Sequence, residues 1–550
     1  MKLLLSNRVI PSVAGLFLLL FAPACRTATR EYKIDERGVF QKKITTSSPE
    51  AQKLFDQGLL LCYAFNHEEA ERRFQRALQF DPNCAMAYWG LAHAAGPNIN
   101  NSDMDKARNA KALRAARDAE KRMGDCNETE RMLIGAMQFR YSESPDADQK
   151  LLNQQYSSAM RAAHHKYPND PDVAVLFADS LMNLRPWDLW SKDGAPRPET
   201  PEIVATLKSV FVNYSNHPGA NHAFIHAVEA SPSPGDAEPA ADRLRELIPE
   251  AGHLVHMPSH IDIRLGHYEK AILANLRGID ADRKYIESTG PGGFFAMYRA
   301  HNYHFLVYAA MFDGQSQLAL RYAREMLESI PPEIVEQMPN VLDGILATPL
   351  HVMERFGMWD AILNEPQPDT KFSVARAFWH FARSLAFTAR GHLTEAEREQ
   401  QNYKTALEAV QSSRMMGNNS ARTILNVGTE VIAGELEFRK GNIEKGFQHL
   451  REAVRLDDEL AYDEPWGWPI PARHALGALL LESGRVDEAK EVYQLDLKRN
   501  PHNGWALHGL AECYRRLGRN DESEKVNIQF NEAWKRADIT IQASCFCRAR

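Results

Sequence analysis

The sequence predicts an all-α fold, an array of stacked helical hairpins, and three observations lead there. A unit of roughly 34 residues recurs along most of the chain. Each copy carries a glycine at the turn between two helices with a small residue shortly after it, and several close on proline, as at Gly314, Ala319 and Pro331. Small residues let two helices cross closely, and proline ends a helix because it has no amide donor. A lone hairpin cannot bury its apolar face, so neighbouring units stack and share one core.

In chain order, Lys2 and Arg8 precede a run from Val9 to Ala22 that is apolar apart from Ser12. The run is too short to span a bilayer and has the shape of a signal-peptide core, so residues 1–25 are expected to be an export signal. Ala22-Pro23-Ala24-Cys25 offers small residues for cleavage; it also loosely resembles the lipobox of bacterial lipoproteins, in which Cys25 would carry the lipid. The protein is therefore expected in the bacterial periplasm or cell envelope, touching membrane only through such an anchor. None of the cysteines after Cys25 forms a C-x-x-C pair, so neither a zinc ribbon nor a thioredoxin-like motif is available. Cys62 and Cys84 either pair in an oxidising compartment or are small buried residues.

The first unit, residues 51–84, places Leu54, Gly58 and Leu61 on one helix and Ala70, Phe74, Ala77 and Pro82 on the next. This pattern closely resembles the tetratricopeptide repeat. The turn returns at Gly266 with Ala271, Gly391 with Ala396, Gly441 with Gly446, Gly484 with Ala489 and Gly518 with Ser523. About ten pairs are expected from residue 45 to 537, and the resemblance implies a right-handed superhelical solenoid with a concave groove. A histidine-rich array over 45–365 is followed, past Asn364-Glu365-Pro366-Gln367-Pro368, by an ordinary one over 371–537, with a second linker from Tyr462 to Pro469. The tail, 538–550, is expected to be disordered. Residues 97–150 read as an irregular or enlarged pair. Long loops at Arg185–Pro198 and Thr289–Phe295 either cover a site or are merely anchored by their aromatic residues.

A formal charge of −7 and a pI near 6.3 leave no basic footprint, so nucleic acid is not an expected partner. The histidines are unevenly spread: ten of the 20 fall between His217 and His351. His222, His226 and Glu229 share one helical face, as do His256 with His260 and His301 with His304. In units aligned on their turn glycines and closing prolines, His222, His226, His253, His256, His260, His301 and His304 fall at the second, fifth or ninth place. The resemblance implies that those places face the concave groove. Imidazoles with a carboxylate are the ligand set of zinc, iron, manganese or copper, so these seven histidines are the expected metal ligands. Glu229 is expected as a further ligand or as a general base on metal-bound water. Pro258 is expected to put His253 and His256 on a loop and leave His260 on a helix. H-E-x-x-H, Walker and G-x-S-x-G motifs are absent.

The phrases His217-Pro218-Gly219-Ala220-Asn221-His222 and Gly252-His253-Leu254-Val255-His256-Met257-Pro258-Ser259-His260 resemble a group of largely uncharacterised, often exported bacterial tetratricopeptide proteins. That resemblance implies a fold and a compartment, and no activity. Two functions remain open. One is an exported metalloprotein, a metal-dependent hydrolase or oxidase acting on a small molecule. The other is a non-enzymatic scaffold whose groove binds a peptide or an envelope protein.

Overall fold

The computed structural model describes residues 32–548 apart from 36, 145, 291, 292 and 294. The expected signal peptide and Cys25 lie outside the described residues. The fold is an all-α solenoid of helical hairpins; among the described residues the only strands are the two-residue pair Met415–Met416 and Asn419–Ser420. No helix among them is long and apolar enough to cross a membrane.

The hairpin signals act as the sequence suggests. Gly266, Gly314, Gly391, Gly441, Gly484 and Gly518 all take positive φ, between 71° and 87°, where a helix ends in the left-handed conformation that only glycine adopts at little cost. Gly266 is doubly constrained, since a Cβ there would lie 2.1 Å from the carbonyl oxygen of Pro501. Gly58 and Gly90 are small for a different reason: a Cβ on either would strike the ring of Phe74, at 2.6 and 2.5 Å. Residues 97–150 are irregular as expected, with Lys106–Lys121 and Glu128–Met137 joined by a 3-10 turn. Cys62 and Cys84 are separate buried thiols.

The superhelix closes on itself. Tyr268 and Trp505 tie the C-terminal hairpins back to the middle of the array: Tyr268 donates to the carbonyl of Pro501 at 3.1 Å, and the Trp505 indole to that of Met311 at 2.9 Å. Trp505 is fully buried, with the Arg355 guanidinium 3.5 Å above its ring. The tail, expected to be disordered, instead completes this closure. Asp538 accepts from the amides of Ser316 and Gln317 at the start of helix Ser316–Ser329, at 2.7 and 2.9 Å. Arg536 grips Asp313, Ser544 donates to the carbonyl of His474, and Ile541 and Cys547 are buried. Short apolar and polar contacts pin a segment whose composition alone looks unstructured. The linker near residue 365 is bridged too, because Asp343 caps the amides of Val374 and Ala375.

Trp505→Ala removes a buried indole at the seam and is expected to cost about 3–5 kcal/mol. Urea unfolding measures this, and amide exchange in helix Phe295–Phe312 should rise with it. A loss below about 1 kcal/mol would show that the seam does not hold the closure.

Candidate metal centre

The histidine-bearing helices surround the closed axis. Helix Pro218–Val228 puts His222 and His226 one turn apart, with Glu229 at its C-terminal boundary. His217 is the N-cap of this helix: its Nδ1 accepts from the amide of Ala220 at 3.1 Å and its Nε2 lies 3.2 Å from Asp172. Pro258 interrupts the next segment without unwinding it. His253 and His256 remain on helix Gly252–His256, not on a loop, and His260 lies on helix Pro258–Leu265. Met257 between them keeps helical dihedrals, so only the bond that proline cannot donate is lost.

Six of the seven expected ligands fall into two groups of three. His222, His226 and His253 offer nitrogens within 4.8 Å of one another, and so do His256, His260 and His301. His304 joins neither; it faces a neighbouring cavity with His301 and His351. The expectation of an open groove wall is corrected here, because His222, His226, His253, His256 and His260 are at most 3% exposed. The closed superhelix takes these side chains away from solvent.

Hydrogen bonds fix the tautomers. The Nδ1 of His222 donates to the carbonyl of Tyr63 at 2.5 Å. That of His256 donates to Asn275 Oδ1 at 2.6 Å, with the Asn275 amide oriented by its own bond to Ala271. Glu229 takes two more: its Oε1 is 2.7 Å from His226 Nδ1 and its Oε2 is 2.7 Å from His260 Nδ1. Each ring therefore presents a lone pair on Nε2. The Nε2 atoms of His222 and His226 and both nitrogens of His253 are buried without a partner. In the second group, the Nε2 atoms of His256 and His260 face each other at 2.8 Å.

Electrostatics keep the rings neutral. Burial, reinforced by neighbouring imidazoles, holds His222, His253, His256 and His301 well below the ordinary histidine range. Burial alone would raise Glu229, but His260, a hydrogen bond from Glu464 and His226 bring it well below the usual carboxylate range. Glu464 moves the other way, raised by burial and by the charge of Glu229. Glu464 also lies against His260 Nδ1, and Glu229 accepts from the Tyr462 hydroxyl at 3.0 Å. Glu229 thus orients two histidines, and with His226, His260 and Glu464 it also forms a group whose possible ligand atoms lie within 4.8 Å of one another.

Tyr462 and Glu464 come from the second linker, more than two hundred residues away in sequence, and Asn275 from helix Tyr268–Thr289. Sequence reasoning did not reach them, and for Asn275 no signal existed. Phe65 was also missed, and Trp187 was met only as one of the aromatic residues of the Arg185–Pro198 loop. Both are bulky residues at positive φ, 55° and 62°, a rare conformation for side chains of this size. Both rings lie against His226, at 5.8 and 5.3 Å between centroids, and Phe65 also packs on His222 and His253. The Arg185–Pro198 loop is therefore both anchored, through Trp190 to the carbonyl of Ala227, and a cover. A further group, Glu435 with Cys545 and Cys547, lies at the tail, its cysteines joined as a disulfide.

The two groups differ in access. The first is covered by Phe65, Trp187 and Tyr298 and borders a small cavity of about 40 Å³ that reaches His222 and His226. The second lies between two cavities, one of about 170 Å³ reaching His301, the other of about 240 Å³ reaching His260. Residues Asp463 to Trp466 form the wall between them.

Comparison with known proteins bears on the fold only. Residues 480–529 match the family model of the tetratricopeptide repeat, so the last two hairpins carry that repeat. No curated protein matches the chain. The human IFIT1 dimer with m7Gppp-AAAA is 11% identical over 91% of this chain and 96% of that one, with a TM-score of 0.33. Naa15/Naa10 bound to HypK-THB is 9% identical over 90% and 69%, with a TM-score of 0.25. Likeness this distant places no site residue and no ligand.

His351 allows a clean pH test. It is buried, its Nε2 has no partner, and burial followed by the nearby His304 lowers it to about 3. A histidine lowered on folding takes up its proton only when unfolded, so stability is lost as pH falls below about 6.5 and continues to fall until about 3. His351→Phe should remove one such proton. In chelator-treated protein, urea midpoints should show wild type losing about 1.4 kcal/mol more than the variant per pH unit in that window, with no divergence above pH 7. Parallel curves would show that His351 titrates normally.

Proposed function

We propose that this chain is an exported metalloprotein in which a tetratricopeptide-type superhelix holds two tris-histidine metal centres. The second centre, His256, His260 and His301, is the reactive one, in a metal-dependent hydrolase or oxidoreductase. The observation that carries this reading is the facing pair of Nε2 atoms on His256 and His260. Their Nδ1 protons are held by Asn275 and Glu229, so two lone pairs meet at hydrogen-bond distance and call for a cation. Export rests on the N-terminal apolar run.

Three neutral imidazoles with an open fourth position are a common catalytic arrangement, in which the metal makes bound water acidic or polarises a substrate oxygen. Imidazole sets suit zinc, copper and iron, whereas manganese favours oxygen donors. Glu229 supplies the outer carboxylate that orients a ligating histidine and raises its basicity, here once for each centre. Room separates the roles: the first centre borders a cavity of about 40 Å³ and is assigned the structural role, whereas the second lies between cavities of about 170 and 240 Å³ and meets substrate. A groove holding an extended peptide would have to be open at this level. Here Phe65 and the Tyr462–Glu464 strap fill it.

Metal analysis of the untagged protein should give close to two transition-metal ions per chain. His222→Ala with His253→Ala should lose one and His256→Ala with His301→Ala the other, each lowering the melting temperature through lost linkage. Glu229→Gln should weaken both centres, by roughly 10–100-fold. Protein that neither retains metal nor takes it up on reconstitution would end the metalloprotein reading.

A further inference from the structure

The larger cavity beside the second centre has a charge character that the metal reading does not use. Its inner end is formed by His260 and Glu464 and its mouth by the exposed Lys192. Three cations line it, Lys192, Arg264 and Arg499, with three acidic residues, Asp458, Asp463 and Glu464, of which burial pushes the last two up from the ordinary carboxylate range. Arg499 is neutralised by Asp458, which Arg473 also holds at 2.6 Å through both oxygens. The other two are not neutralised. Arg264 donates to the carbonyls of Glu229 and Ser231, at 2.5 and 3.4 Å, and its guanidinium lies over the ring of Tyr462. The Lys192 ammonium donates to the carbonyl of Glu459. No carboxylate lies within ion-pairing distance of either among the described residues.

We propose that this cavity is the substrate site of the second centre, and that the substrate is a small organic anion whose charged group lies between Arg264 and Lys192. The inference rests on the metal reading only for which end of the substrate reacts. Helix Pro258–Leu265 sets the spacing. Arg264 follows His260 by one turn on the same face, about 6 Å along the axis. Arg264 is anchored by two carbonyls before any ligand arrives, so its fork is already oriented for a carboxylate or a phosphate. Lys192, on the Arg185–Pro198 loop, is the exposed partner at the entrance, and together they attract anions toward a site holding bound metal. A cavity of about 240 Å³ admits a metabolite and excludes a polymer chain.

Calorimetric titration with sodium succinate and with inorganic phosphate tests this on the metal-loaded and the chelator-treated protein. Lys192→Gln, Arg264→Lys and the double variant Lys192→Gln/Arg264→Gln are titrated alongside, with metal content measured in each. At least one probe should bind saturably and more weakly as sodium chloride rises. The double variant should bind it at least tenfold more weakly while keeping wild-type metal content, and Arg264→Lys, which keeps the charge but loses the fork, should bind more weakly than wild type and more tightly than the double variant. The tighter probe identifies carboxylate or phosphate as the recognised group. Since Lys192 is exposed, its single variant should fold normally and still show a several-fold loss. Failure of both probes, or undiminished binding in the double variant, would overturn the proposal. Absence of metal shows separately in the metal measurement, and anion binding that persists in the chelator-treated protein would then uphold the anion site alone.

Discussion

His226 and His260 share the two oxygens of one buried carboxylate, and the geometry of both candidate centres depends on that tie. Because Glu229 takes both Nδ1 protons, each ring must turn its Nε2 away from the carboxylate, one toward His222 and His253, the other toward His256 and His301. A bare carboxylate at this depth would cost several kcal/mol. Here it is met by two imidazoles and a tyrosine hydroxyl, beside Glu464, whose carboxyl is pushed up by burial and by the charge of Glu229. Replacing it would free two rings at once, so the centres are coupled through their support.

That support exists only because the superhelix closes. Tyr462 and Glu464 reach Glu229 from the C-terminal array, and that array is held in place by Trp505, Asp538 and the tail. Closure also removes water from the rings, which keeps them neutral and their lone pairs available. The positive φ of Phe65 and Trp187 is consistent with this, since both strained residues press aromatic rings onto His226. Strain of this kind, of order 1–3 kcal/mol per residue, persists only where the surrounding fold imposes it.

Much of this was legible in the sequence, for local reasons. The turn glycines announce the hairpins because a helix end in the left-handed conformation needs them. The spacing of His222 with His226 and of His256 with His260 announces shared faces because the helical period is fixed. What the sequence concealed was long-range. Glu464 looked like part of a linker, the tail looked unstructured, and Asn275 is one polar residue on an ordinary helix; each gains its role from a partner far along the chain. The facing of His304 failed for a related reason: its place in the repeat matched that of His256, but the neighbouring helix brings His351 beside it instead of a third ligand. Glu229 was found but the convergence of donors on it was not, because spacing reports which residues are near and not how many groups meet there.

X-ray absorption at the edge of whichever metal the purified protein carries addresses the two centres most directly. The arrangement of His222, His226, His253, His256, His260 and His301 predicts a shell of about three imidazole nitrogens per metal at roughly 2.0–2.1 Å, with light-atom scattering from an open position and no sulfur. A shell dominated by sulfur would place the metal at the tail cysteines, and a six-coordinate oxygen shell would leave the histidines without a metal; either would contradict the two-centre arrangement.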